Sequence, residues 1–220
     1  MLPVTLAPKS PGPLRILCLG AHSDDIEIGC GGTILTLLES RADIECHWVV
    51  LSADAERERE ARESAAQFLK KSHRSEVAVE RFRNGYFPFV GDVVKDYFEA
   101  LKGRLSPDLV FTHHRDDRHQ DHRVVSDLTW NTFRNHTILE YEIPKYDGDL
   151  GTPNLFVPLD DPIWREKLRI LLSSFATQGD KHWFCEETFR SLMRLRGMES
   201  CAPRDHAEAF YARKIVLAAG

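Results

Sequence analysis

The run Arg15-Ile-Leu-Cys-Leu-Gly20 is apolar without alternation and is closed by glycine, the pattern of a strand covered on both faces. A polar loop over residues 21–27 follows it, and Gly29-Cys-Gly-Gly32 leads into residues 33–39, which favour a helix. The same alternation then recurs. Residues 44–51 predict a second strand, 56–71 a charged helix, 77–82 a third strand, Asn84-Gly85 a turn and 92–105 a further helix. Residues 108–113 predict a fourth buried strand, and a second polar loop, 114–120, leaves its carboxyl end. Beyond it, 138–143 and 154–159 are extended, 161–176 and 186–196 helical, and 207–217 a last strand. Strands alternating with helices predict an α/β fold, a single Rossmann-like domain over residues 15–220 with a mostly parallel sheet and helices on both faces. A proline-broken arm, residues 1–14, precedes it. In such sheets ligands bind beyond the carboxyl ends of the strands.

Composition narrows the function classes. The 220 residues carry 29 Lys and Arg against 34 Asp and Glu, a net charge of -5 spread along the chain, which argues against a nucleic-acid binder relying on a phosphate-attracting field. Five cysteines without a Cys-x-x-Cys pair argue against a disulfide framework or a thiolate zinc finger. No stretch approaches the roughly 18 uninterrupted apolar residues of a membrane span, and the N-terminus has no basic n-region of a signal peptide. The expectation is a reducing, cytoplasmic location. An aromatic loop, residues 86–89, offers a surface for packing against a second copy, so a homo-oligomer is open.

The chemistry concentrates in the two polar loops. Residues 21–27, Ala-His-Ser-Asp-Asp-Ile-Glu, set one imidazole beside three carboxylates directly after a buried strand. Neighbouring like charges repel unless a cation gathers them, although a solvated turn capping the next helix uses Asp-Asp pairs too. Residues 113–123, His-His-Arg-Asp-Asp-Arg-His-Gln-Asp-His-Arg, hold four of the ten histidines, and the i, i+3 spacing of His119 and His122 puts both on one face of an incipient helix. Parallel strands would bring both loops to one sheet edge. Two imidazoles and one carboxylate are a standard set for catalytic zinc, and the ligand types also admit Fe(II) or Co(II).

These residues resemble the LmbE/PIG-L family of zinc-dependent N-acetylglucosaminyl deacetylases. The Ala-His-Pro-Asp-Asp-Glu motif matches residues 21–26 with Ser23 for Pro and Ile26 for Glu, and His-x-Asp-His is unchanged as His119-Gln120-Asp121-His122. Gly31-Gly32-Thr33, the helix from Arg57 to Leu69, Gln178 and Ala207-Glu-Ala-Phe210 are weaker matches further out. The resemblance implies metal on His22, Asp25 and His122, Asp24 as general base, and His119 as a second catalytic group with Asp121 as its orienting partner. It implies an N-acetylated amino-sugar conjugate as substrate. A Tyr that some members place two residues before the catalytic His is Asp117 here.

Other residues carry two readings each. Arg57 is the candidate for a sugar hydroxyl or phosphate, yet Arg59 and Arg62 share its charged helix. Tyr86, Phe87, Phe89, Trp164 and Trp183 form either a sugar-stacking wall or core packing, while His113, His114, Asp116 and Asp117 are expected to shape the loop. Cys30 reads as a small packing residue. A dinucleotide site is disfavoured because the Gly-x-Gly-x-x-Gly spacing is absent. A metal-dependent phosphoesterase and a catalytically inactive sugar-binding relative stand as alternatives; the first requires ligands for two ions.

Overall fold

A computed structural model describes residues 3–5, 8 and 11–216. Seven strands form one sheet in the order β3-β2-β1-β4-β5-β7-β6. Strands β1 (Leu14–Gly20), β2 (Ile44–Val50), β3 (Arg74–Val79), β4 (Leu109–His113) and β5 (Thr137–Tyr141) are parallel to one another. The pairs of β7 (Ala207–Tyr211) with β5 and with β6 (Leu155–Pro158) are antiparallel.

Helices cover both faces, as the alternation predicts. On one side α1 (Asp25–Ser40), α2 (Ala55–Phe68), α5 (Asp161–Ser174) and α6 (Glu186–Ser200) pack over Ile16, Cys18, Trp48 and Phe210. On the other, α3 (Gly91–Arg104) and α4 (Gln120–Thr132) set Val94, Phe98 and Val125 against Leu17, Leu19 and Val110. Because β1 lies between β2 and β4, the chain winds outward in both directions from β1, and a crevice opens at the carboxyl ends of β1 and β4.

Several boundaries differ from expectation for identifiable reasons. Helix α1 starts at Asp25 rather than residue 33, so Asp25 to Glu27 form its first turn and the three glycines lie inside it. Glycine lowers helix propensity, which hid this start. Here it permits close approach: a Cβ on Gly29 would sit 2.2 Å from the Tyr141 ring, and one on Gly31 2.8 Å from Phe68. Helix α4 has a polar first turn and no strong apolar stripe, so its sequence predicts only an incipient turn at His119. Strand β3 begins three residues earlier than residue 77, at Arg74, and ends at Val79. The last strand stops at Tyr211; of the expected extension to 217, Leu217 lies outside the described residues. Leu14 belongs to β1 and not to the arm, of which Met1, Leu2, Leu6, Ala7, Lys9 and Ser10 lie outside the described residues.

One ion pair fixes α1 to α5 and to strand β7. Lys167 of α5, 2 % exposed, donates to the Ile28 carbonyl at 2.7 Å and to Glu208 Oε1 of β7 at 2.6 Å. Glu208 in turn accepts the amides of Gly32 (2.8 Å) and Thr33 (2.6 Å). The pair thus bridges the carbonyl and amide ends of one helical rung, Ile28 to Gly32. Among the described residues, no helix is long and apolar enough to cross a membrane.

Candidate metal centre and active site

The turn after β1 and the start of α1 bring His22, Asp24 and Asp25 to the sheet edge, where they meet His119 and His122 at the start of α4. His22 Nδ1 is 3.2 Å from His122 Nε2 and 3.4 Å from Asp25 Oδ2, and His122 Nε2 is 3.5 Å from Asp25 Oδ1. Ligands held about 2.0–2.1 Å from a tetrahedral zinc lie about 3.3 Å apart; the two imidazole nitrogens meet this spacing, and Asp25 approaches them through different carboxylate oxygens. The triad expected from sequence is therefore drawn together, with all three residues buried.

Each imidazole is aimed by a carboxylate on its other nitrogen. Asp117 Oδ2 lies 2.9 Å from His122 Nδ1, which places the proton there and leaves Nε2 as a lone-pair donor. Asp121 Oδ2 lies 3.3 Å from His22 Nε2 and leaves Nδ1 free in the same way. The Asp121 carboxylate also accepts the amides of Gly85 (2.6 Å) and Phe87 (3.1 Å), tying the turn after β3 to the centre. Gly85 adopts φ +80°, the left-handed region that glycine tolerates.

This arrangement changes the expected role of Asp121. Its carboxylate serves His22, whereas its link to His119 is the main chain: the Asp121 amide donates to His119 Nδ1 at 3.2 Å, making His119 the N-cap of α4. A ring accepting at Nδ1 carries its proton on Nε2. Burial and the charge of His22 lower the His119 pKa, consistent with a neutral ring that donates hydrogen bonds.

The electrostatics are those of a cation site. Burial disfavours charge on His22, yet Asp25 and Asp121 outweigh it and raise its pKa to about 9. Burial and the neighbouring His113 instead pull His122 down to about 3. Burial acts to raise Asp25, but the imidazoles of His122, His113 and His22 hold it well below the ordinary carboxylate range. Asp24 behaves in the opposite sense: burial raises its pKa, while Arg57, whose Nη2 is 2.8 Å from Asp24 Oδ1, opposes the rise. Glu27 is fully buried beside Ser64, and burial pushes its carboxyl well above the ordinary range.

His113 and Asp117, expected only to shape the loop, belong to the centre. His113 Nε2 accepts the Ala21 amide at 3.0 Å, lies 3.1 Å from Asp25 Oδ2 and stacks on His122 at 3.8 Å between ring centroids. Among the described residues two groups set potential ligand atoms within 4.8 Å of one another, His22/His119/His122 and Asp25/His113/His122, and they share His122. Lys145, unmarked in the sequence, sits 3.0 Å from Asp117 Oδ2 and 2.5 Å from Asp149 Oδ2. Its only signal was position after the fifth strand. His114 does shape the loop, through Glu140 at 2.8 Å and a ring stack on Tyr211.

The centre opens into a pocket of about 190 Å³, lined by Asp24, Arg57, His119, Lys145, Gln178 and Trp183 among others. Of the aromatic candidates only Trp183 lines it. Trp164 is core, stacked on His206; Phe87 is buried beneath His22; Tyr86 and Phe89 are exposed elsewhere on the surface.

Comparison with solved structures agrees with this architecture. The conserved protein TT1542 from Thermus thermophilus matches with a TM-score of 0.73 and 21% identity, over 93% of this chain and 97% of that one. The N,N'-diacetylchitobiose deacetylase of Pyrococcus horikoshii matches at 0.68 and 21% identity, over 90% and 83%. GalB, the 4-carboxy-2-hydroxymuconate hydratase of Pseudomonas putida KT2440, matches at 0.71 and 17%, over 94% and 99%. At these identities the likeness concerns the fold. The family model for PIG-L, GlcNAc-PI de-N-acetylase, matches residues 17–133, which contain every ligand candidate described above. The chain belongs to the PIG-L family.

Proposed function

We propose that this protein hydrolyses the N-acetyl group of an N-acetylated amino-sugar conjugate, with zinc held by His22, Asp25 and His122. The observation that carries this reading is the placement of buried Asp24 and of His119 in the same pocket as the three ligand atoms. Metal ligation alone requires neither residue. A divalent ion in this site supplies Lewis-acid polarisation of the acetyl carbonyl and lowers the pKa of water towards about 7.

The chain's own groups supply the proton transfers. Asp24, its pKa raised by burial, accepts the proton of the attacking water and passes it to the departing nitrogen, so the amide C–N bond breaks with release of acetate and an amine. His119, with Nδ1 committed to the α4 cap, donates from Nε2–H to the developing oxyanion. This differs from a protonated His119 acting as acid, because a second proton on Nδ1 would displace the cap. Arg57 holds the base in place and lines the substrate cavity.

The fold also carries a hydratase, so the residues and not the scaffold select the reaction. The test is acetate release from a panel of N-acetylglucosaminides by zinc-loaded protein, with and without chelator. Asp24→Asn is expected to keep one zinc per chain and lose turnover. Two bound ions per chain would favour the phosphoesterase, and no release from any conjugate would overturn the deacetylase.

A further inference from the structure

The connection from β5 to β6 forms one wall of the pocket, through Ile143, Lys145, Tyr146 and Asp147. Tyr146, Asp147, Gly148 and Leu150 are exposed, yet the side chains of Lys145 and Asp149 are only 8% and 6% exposed. Gly148 takes φ +59°, in the left-handed region, just past the turn at residues 146–147. The chain thereby doubles back, and Lys145 Nζ meets Asp149 Oδ2 at 2.5 Å.

These two inward side chains fasten the wall to the segment between β4 and α4 that bears on the metal centre. Lys145 Nζ is 3.0 Å from Asp117 Oδ2, and Asp149 Oδ2 accepts the Arg118 amide at 2.6 Å. One ammonium thus stands between two carboxylates with little exposure. The two sides of this contact are unequal. Asp117 is held without Lys145: its Oδ1 accepts the His119 amide at 2.8 Å, its Oδ2 lies 2.9 Å from His122 Nδ1, and its own amide donates to the His114 carbonyl at 3.2 Å. The wall is tied again only past its exposed stretch, at Gly151, whose carbonyl accepts Arg196 Nη2 at 3.1 Å.

We propose that Lys145 is a positioning residue, whose ammonium holds the pocket wall of residues 145–150 against the carboxylate that aims His122 and so sets where Tyr146 and Asp147 stand beside the substrate. The inference rests on the deacetylase reading for the reacting centre and adds to it the fastening of the wall. Without the ammonium, Asp117 and Asp149 face one another as like charges out of water. Asp117 is fixed by its other bonds, so the repulsion is relieved by the wall, which swings Asp149 into solvent.

The experiment reads three quantities on zinc-loaded wild type and Lys145→Gln. Chymotryptic cleavage after Tyr146, followed by fragment mass, is expected to quicken about tenfold, because it tracks the population of the released wall. Zinc affinity, read by chelator competition, is expected to tighten or to fall by less than about threefold, since Asp117 stays in place and a cation near the centre is gone. For an N-acetylglucosaminide that the wild type hydrolyses, KM is expected to rise about tenfold with kcat within about twofold, the pattern of lost substrate positioning. A general loosening of the fold would instead lower zinc affinity and kcat together. Lys145→Gln/Asp149→Asn removes the repulsion and is expected to regain part of the resistance to cleavage; it carries the same readouts should the single variant not fold. Cleavage at the wild-type rate, or a larger fall in zinc affinity, overturns the proposal. Should no conjugate release acetate, cleavage and zinc binding still decide the role of Lys145, and only the hydrolysis reading falls.

Discussion

Arg57 Nη2 lies 2.8 Å from Asp24 Oδ1, joining the first turn of α2 to the carboxylate that precedes α1. The bond is partly buried, with side chains 17% and 6% exposed. It sets two opposed influences on the proposed base: burial raises the Asp24 pKa and the guanidinium lowers it. Catalysis by an ionised base is lost as pH falls through that pKa. Removing Arg57 leaves burial unopposed, so Arg57→Gln is expected to move the acid limb of kcat/KM to higher pH. A pH–rate profile checks this; a limb that stays or moves to lower pH would remove Arg57 from control of the base.

Asp117 fixes the tautomer of His122, and it also accepts the His119 amide at 2.8 Å. Replacing such a carboxylate behind a ligand histidine typically costs about 10–100-fold in metal affinity. Asp117→Asn is expected to weaken zinc binding by that factor, read by competition with a chromophoric chelator. Unchanged affinity would show that the Nδ1 partner does not govern the ligand.

The Lys167–Glu208 pair is buried, and removing one member leaves an uncompensated charge. Lys167→Met is expected to destabilise the fold by about 3–5 kcal/mol in urea unfolding. The double variant Lys167→Met/Glu208→Gln should recover part of the loss, since the stranded charge is then gone. No recovery would point to a steric cause.

Gly29→Ala places a methyl group 2.2 Å from the Tyr141 ring, whose hydroxyl donates to the Leu19 carbonyl at 2.6 Å. The ring cannot retreat without breaking that bond. Overpacking of this kind costs about 1–3 kcal/mol, so the variant is expected to show a lowered Tm. Gly91→Ala, with nothing within 4 Å of the added carbon, is the comparison that should not.

Much of this was legible in the chain. Unbroken apolar runs such as residues 15–20 mark strands that parallel neighbours and helices enclose, and they surfaced within a residue or two of their observed ends. The ligand candidates stood out because histidines and carboxylates cluster where buried strands end. The start of α1 was concealed because the glycines that admit Tyr141 and Phe68 are the residues that weaken a helix signal. Tertiary pairing was concealed too. Nothing local distinguishes the Asp121 carboxylate that serves His22 from one serving His119, and Lys145 reaches Asp117 from a loop 28 positions away in the sequence. Separations of that kind are set by the sheet order.

The clasp on the Ile28–Gly32 rung joins the earliest helix to the latest strand. All three candidate ligands emerge within the first 122 residues, but the helix whose first turn carries Asp25 is anchored by a side chain at position 208. During synthesis the candidate ligands therefore exist long before their scaffold closes, and ion capture is expected to report completed folding. A chain arrested before β7 is expected to hold zinc only weakly in an equilibrium titration, while the finished chain holds it firmly.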